Sequence, residues 1–143
     1  MFEFITNVEV IFLINVGLSI AIGLMIGFER ETRNKDAGIS TSILIITGAM
    51  LFAFISQLTG GDASRVAAQI VSGIGFIGAG LIIRDGSNIK NITTAAGIWL
   101  GAGIGMAIGF QLYTIAIICG LVATFVPRIP HYRKREQELE KQP

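Results

Sequence analysis

The residues with side chains fit for chemistry gather at the ends of apolar runs. Glu29, Arg30 and Glu31 follow the first run, with Arg33, Lys35 and Asp36 close behind, and Arg84 and Asp85 follow the third. Hard cations such as Mg²⁺ take oxygen ligands, so Glu29, Glu31, Asp36 and Asp85 are the side chains to consider for one. The cations interleaved among them neutralise that charge, which favours a salt-bridged loop over a metal centre, and no metal ligand or cofactor site is assigned. A second set, Arg65, Gln69 and Ser72, stands at i, i+4 and i+7 and shares one face of a helix. In a membrane such a face lines a bundle interior or a watery cavity and supports an ion or proton pathway, with Asn15 as a candidate partner. The plainer reading has Arg65 snorkelling to the interface and Gln69 hydrogen-bonding another helix. Thr93, Thr94 and Trp99, at the head of the fourth run, complete the candidate set.

Other chemistries fall away. Gly73, Gly75 and Gly78 match the GxGxxG dinucleotide pattern, but no strand precedes them and the run they sit in is of hydrocarbon length. Packing of small residues on a crowded helix face accounts for them better. There is no HExxH, and the single histidine, His131, lies in the tail, so no base stands in a run to activate a serine. The one cysteine, Cys119, makes neither an internal disulfide nor a zinc site alone. No enzymatic activity and no nucleic-acid partner are expected.

The elements that must carry these residues are membrane helices. The chain of 143 residues is 52% hydrophobic and only 15% charged, with a mean hydropathy of +0.67, too little surface charge for a globular domain in water. The first run, Val8 to Phe28, is long enough to cross about 30 Å of hydrocarbon. It lacks a basic leading region, so a cleaved signal peptide is not expected. Asn15 and Ser19, then Gly23 and Gly27, repeat a four-residue spacing within it. Glu29 with Arg33 and Glu31 with Lys35 are spaced to pair if the helix continues. The second run is Ile39 to Leu58 and the third about Val66 to Ile83, with Asp62 placed to cap it. Arg84 to Asn88 reads as a turn, and Asn91 or Thr93 as the cap of the fourth helix. From Thr93 to Val126 no residue is charged. One helix of that length would measure about 51 Å, too long for one crossing. Gly109 and Gln111 mark the break, giving crossings of about Thr93–Ile108 and Leu112–Val126.

The reading is therefore all-α: a polytopic membrane protein with five transmembrane helices over residues 1–127 and a charged tail, 128–143. Five spans place ten of the eleven basic residues on one side and leave Arg65 alone on the other. By the basic-residue bias the loops 29–37 and 84–91 and the tail are cytoplasmic and the N-terminus is outside. The tail, basic and then acidic, suits anionic lipid heads and then water. Ten of the 18 glycines lie between Gly73 and Gly109. Each costs about 1 kcal/mol relative to alanine in a soluble helix, whereas in lipid small residues let backbones approach. They mark a glycine-rich hairpin of helices 3 and 4. Gly97, Gly101, Gly105 and Gly109 form a stripe that drifts about 40° per step round the helix, so it meets more than one neighbour, in this chain or in another copy.

Together these motifs resemble the MgtC/SapB family. The resemblance rests on GFERE after the first run, AGISTSILIITGAMLF in the second, RVAAQIVSGIGFIGAGLIIRDG in the third and ITTAAGIWLGAGIGMAIG in the fourth, over about Gly27 to Gly109. Ser40 stands where the family often has arginine, and Asn91 where it often has glycine. The resemblance implies a five-span protein of the bacterial inner membrane, tied to survival in low magnesium, to virulence inside host cells, and to regulation of membrane energetics through ATP synthase. The family is not an established transporter. Longer members carry a soluble cytoplasmic domain after the last span, so this chain resembles a short, membrane-only member. Two functions follow as expectations. One is a non-enzymatic regulator that contacts the bilayer and, through its helices, another membrane protein such as ATP synthase or a second copy in a dimer. The other is an oligomeric ion or proton transporter or channel related to Mg²⁺.

Overall fold

Where backbone lies in hydrocarbon it must satisfy its own hydrogen bonds, so the apolar runs form helices that end where charge and water begin. The computed structural model describes residues 2–86 and 88–129, with residues 2–6 as backbone only. Among the described residues are five helices: α1 (Phe2–Thr32), α2 (Ile39–Leu58), α3 (Ala63–Leu81), α4 (Ile92–Gly109) and α5 (Tyr113–Phe125), the last followed by a 3₁₀ turn, Val126–Arg128. The first four are long and apolar enough to cross a membrane; α5 is a shorter apolar helix. The fold is all-α, as the composition predicts. Residues 130–143 of the expected tail lie outside the described residues.

Most boundaries fall where the polar breaks put them. The uncharged stretch does divide after Gly109, where Gln111 turns the chain with φ +61°. The expected turn after the third run is a small antiparallel hairpin of β1 (Ile83–Asp85) and β2 (Asn88–Lys90), which pairs Ile83 with Lys90, Arg84 with Ile89 and Asp85 with Asn88. Asp62 caps α3 as its position suggests, Oδ1 accepting from the backbone N–H groups of Ser64 and Arg65. Asn91 precedes α4 but its side chain makes no capping bond.

α2 is the axis of the bundle, and glycines on two other helices bring their backbones against it. On α1, a Cβ added to Gly23 would lie 2.8 Å from Ile43 Cα, and one on Gly27 would strike Ile39. On α4, Gly105 lies against the carbonyl of Ile46, and a Cβ on Gly109 would lie 2.5 Å from that of Met50. Two four-residue glycine pairs thus bring α1 and α4 close against α2. Ile46, Met50, Ile104 and Ile108 fill the seam fully buried. Gln57 near the end of α2 donates 2.6 Å to the carbonyl of Gly109, a group α4 leaves open at its C-terminus. α5 runs parallel to α1: Tyr113 meets Asn15 at one end and Arg128 meets Glu29 at the other. α3 is the peripheral helix, joined to α4 by the hairpin and mostly exposed along its length.

Candidate functional site

The charged end of α1 is the most tightly connected polar site in the chain. Glu29 and Arg30 are both buried, and each faces a different neighbour. Glu29 Oε1 accepts from Arg33 at 3.1 Å, one helical turn on, and lies 3.7 Å from Arg128 Nε beyond α5. Arg33 also donates to the carbonyl of Pro127. The carboxylate therefore ties the C-terminal ends of α1 and α5 together.

Arg30 points the other way, into the seam with α4. Its Nε lies 3.0 Å from the carbonyls of both Asp36 and Ala37, and Nη2 donates at 2.7 Å to the Asp36 carbonyl and at 2.7 Å to Thr94 Oγ1. The planar fork suits this task because it holds Nε and Nη2 rigidly apart, so both reach the Asp36 carbonyl while one also reaches Ala37 and the other Thr94. A Cβ at Gly97 would lie 3.6 Å from Arg30 Nη1, so the glycine leaves room for the guanidinium under α4.

The two remaining carboxylates of the loop are committed as well. Glu31 Oε1 accepts from the Ile39 N–H at 2.9 Å, an anion at the positive start of α2. Gly38 permits this, since a Cβ there would come within 2.5 Å of that oxygen. Asp36 Oδ2 accepts from Asn91 Nδ2 at 2.8 Å, which fastens the loop to the start of α4. Asp85 pairs with Lys90 at 3.3 Å in the exposed hairpin. The expected Glu29–Arg33 pair is present, whereas Glu31 serves as a helix cap. Among the described residues no three His, Cys, Asp or Glu side chains gather as a metal would require.

The second candidate set lies elsewhere and stands apart. Arg65, Gln69 and Ser72 are exposed on α3. Arg65 is 3.8 Å from Asp62, and Ser72 donates to Ala68 in its own helix. Asn15 is fully buried on α1 and accepts 2.9 Å from Tyr113 on α5, so it is not the partner of Gln69. Trp99 and Thr93 are exposed on α4, and Thr94 is the buried acceptor of Arg30. Of the candidate glycines, Gly97 faces Arg30, while Gly101, Gly105 and Gly109 face α2. The stripe thus meets two elements of its own chain. A Cβ added to Gly78 would lie 3.8 Å from Ala95 of α4, and one on Gly73 or Gly75 would meet nothing within 4 Å.

The sequence as a whole matches the MgtC family model over residues 16–134. The chain belongs to the MgtC family. Protein MgtC of Salmonella typhimurium strain 14028s is 43% identical over 115 residues, which cover 76% of this chain and 50% of that one. Protein MgtC of Brucella abortus strain 2308 is 46% identical over 99 residues, 68% of this chain and 42% of that one. The chain spans about half the length of the curated MgtC relatives it matches. No solved structure matches it.

Asn91 and Ser40, the two positions that the resemblance sets apart, have a physical setting in this MgtC-family chain. Asn91 adopts φ +67°, the left-handed region where glycine is favoured and asparagine is the next best choice. Here the asparagine also supplies the bond to Asp36. Ser40 is exposed in the first turn of α2. Spacing alone does not point to Tyr113, Gln57 or Arg128. Residue chemistry does point to Tyr113: a buried asparagine needs an acceptor or donor opposite it, and Tyr113 is the one residue of the fifth run with a hydroxyl on a ring long enough to reach across.

Proposed function

We propose that the chain is a non-enzymatic protein of the bacterial inner membrane that regulates membrane energetics or adaptation to low magnesium by packing the open face of α3 against a partner. The partner is another integral membrane protein, ATP synthase among the candidates, or a second copy. The observation that carries this is the condition of α3. Phe76 is 83% exposed, and Gly75 and Gly80 have open space where a side chain would be. Glycines that serve the fold lie against backbone in α1 and α4; these do not, yet they carry the same cost in helix propensity.

The topology supports the reading. The Glu29–Arg30 cluster, the loop 33–38, the hairpin end of α4 and the end of α5 meet at one end of the bundle. The basic residues of the loops lie at that end, and the basic-residue bias supports a cytoplasmic side for it. α5, running from beside Asn15 to beside Glu29, covers about 21 Å of the length of α1 and supplies a fifth, short crossing.

The test is complementation of growth at low magnesium in a strain lacking the chain. Phe76→Ala and Ala79→Leu, both on the open face, are expected to fold and to fail to restore growth. Full restoration by both would overturn the proposal. Ion flux into proteoliposomes that falls with Gln69→Leu would move the assignment to transport.

A further inference from the structure

An open groove of about 550 Å³ runs between α2, α3 and α4. Along α3 it extends from Val66 to Ile77, about 16 Å at 1.5 Å per residue. Gly48 on α2 and Gly73 on α3 open its walls, and a Cβ on either would meet nothing within 4 Å. Every other lining side chain is apolar except Gln69.

Polar groups stand only at its mouth. Arg65 immediately precedes Val66, is 82% exposed, and has its nearest carboxylate, Asp62, at 3.8 Å. Among the described residues it is the one basic side chain at the end of the bundle away from the Glu29–Arg30 cluster. Gln69 lies one turn deeper, about 6 Å along the axis, and has no hydrogen-bond partner among the described residues. A cation at the surface, an amide one turn below it and an open apolar groove beneath match the order of phosphate, ester and hydrocarbon in a phospholipid.

We propose that this groove binds one acyl chain of an anionic phospholipid, with Arg65 holding the phosphate and Gln69 donating to the ester carbonyl. The inference goes beyond the proposed function, since it assigns the flank of α3 to lipid whatever its outer face contacts. Native mass spectrometry of the protein in mild detergent, titrated with phosphatidylglycerol or phosphatidylcholine, tests it. The wild type is expected to hold one lipid per chain and to prefer phosphatidylglycerol. Gly48→Leu and Gly73→Leu add bulk to the groove from its two walls, each from a Cβ position with nothing within 4 Å, and are expected to lose both lipids. Arg65→Gln is expected to keep the phosphatidylcholine adduct and to lose the preference by about fivefold, the equivalent of about 1 kcal/mol for one basic side chain at an anionic surface. Lipid retained by both leucine variants would overturn the proposal. So would a wild-type dimer that both variants convert to monomer, which would give the groove to a second copy. On the unaltered protein, a phospholipid with a photoactivatable tail is expected to label 66–77 and 44–52. Labelling no heavier there than at Leu13 or Ile117, which face outward on other helices, would equally overturn it.

Discussion

Gly105→Ala adds one methyl group at the closest approach of α4 to α2. The added carbon would overlap the Ile46 carbonyl and lie 2.8 Å from Ala49 Cβ. Both obstacles are backbone or the first side-chain atom, so no rotamer change relieves the clash and the helices must part. Overpacking of this kind costs about 1–3 kcal/mol, and the rigid setting places it near the top of that range. Alanine returns about 1 kcal/mol of helix propensity. The net loss is about 2 kcal/mol, a factor of about thirty in the folded-to-unfolded ratio. Gly73→Ala is the control: the same propensity is gained, with nothing within 4 Å of the new carbon. Unfolding by sodium dodecyl sulfate in mixed micelles, followed by Trp99 fluorescence and circular dichroism, reads both. Gly105→Ala is expected to shift the midpoint down and Gly73→Ala to leave it equal or higher. Equal shifts, or a stabilised Gly105→Ala, would refute the assignment of these glycines to opposite roles.

Arg30→Lys removes the fork that reaches Asp36, Ala37 and Thr94 together. It is expected to destabilise by about 2 kcal/mol, as a charged group loses hydrogen bonds in a buried setting, and to hasten protease cleavage in the loop 33–38. Tyr113→Phe leaves Asn15 without its partner at 2.9 Å. The expected cost is about 1 kcal/mol, seen as a lower midpoint in the same titration. The Ser64 hydroxyl, followed by the backbone N–H of Arg65, holds the Asp62 carboxyl below its ordinary value. A value depressed in the folded state gives stability that is present above the unfolded value of about 3.9 and lost as pH falls through the folded one. Amide exchange in the first turn of α3, corrected for its intrinsic pH dependence, is expected to quicken below about pH 4 in the wild type and to show no such step in Asp62→Asn.

Much of the fold is legible in the sequence because hydrocarbon leaves a backbone few options. Ile39–Leu58 is bounded by charge and by a Gly–Gly turn, and the helix has those same ends. The break after Gly109 follows from the thickness of a bilayer. The candidate site is legible only in its residue types. Spacing places Glu29 against Arg33, a local pair, and the structure contains it. It is silent on Arg128, Thr94 and Asn91, because those contacts join residues 55 to 99 positions apart and depend on how the helices pack. The glycines show the same divide. Gly105 and Gly73 are both glycines within apolar runs, and only the neighbouring backbone tells which is packed against another helix.

The central claim is that the open face of α3 is a protein contact. A photo-crosslinking amino acid at Phe76, activated in intact bacterial membranes, tests it most directly, with Leu13 on α1 as the outward-facing reference. The expected result is a discrete protein adduct from position 76, either a dimer of this chain or a complex with another membrane protein, and only lipid from position 13. Lipid adducts alone from both positions would contradict the claim.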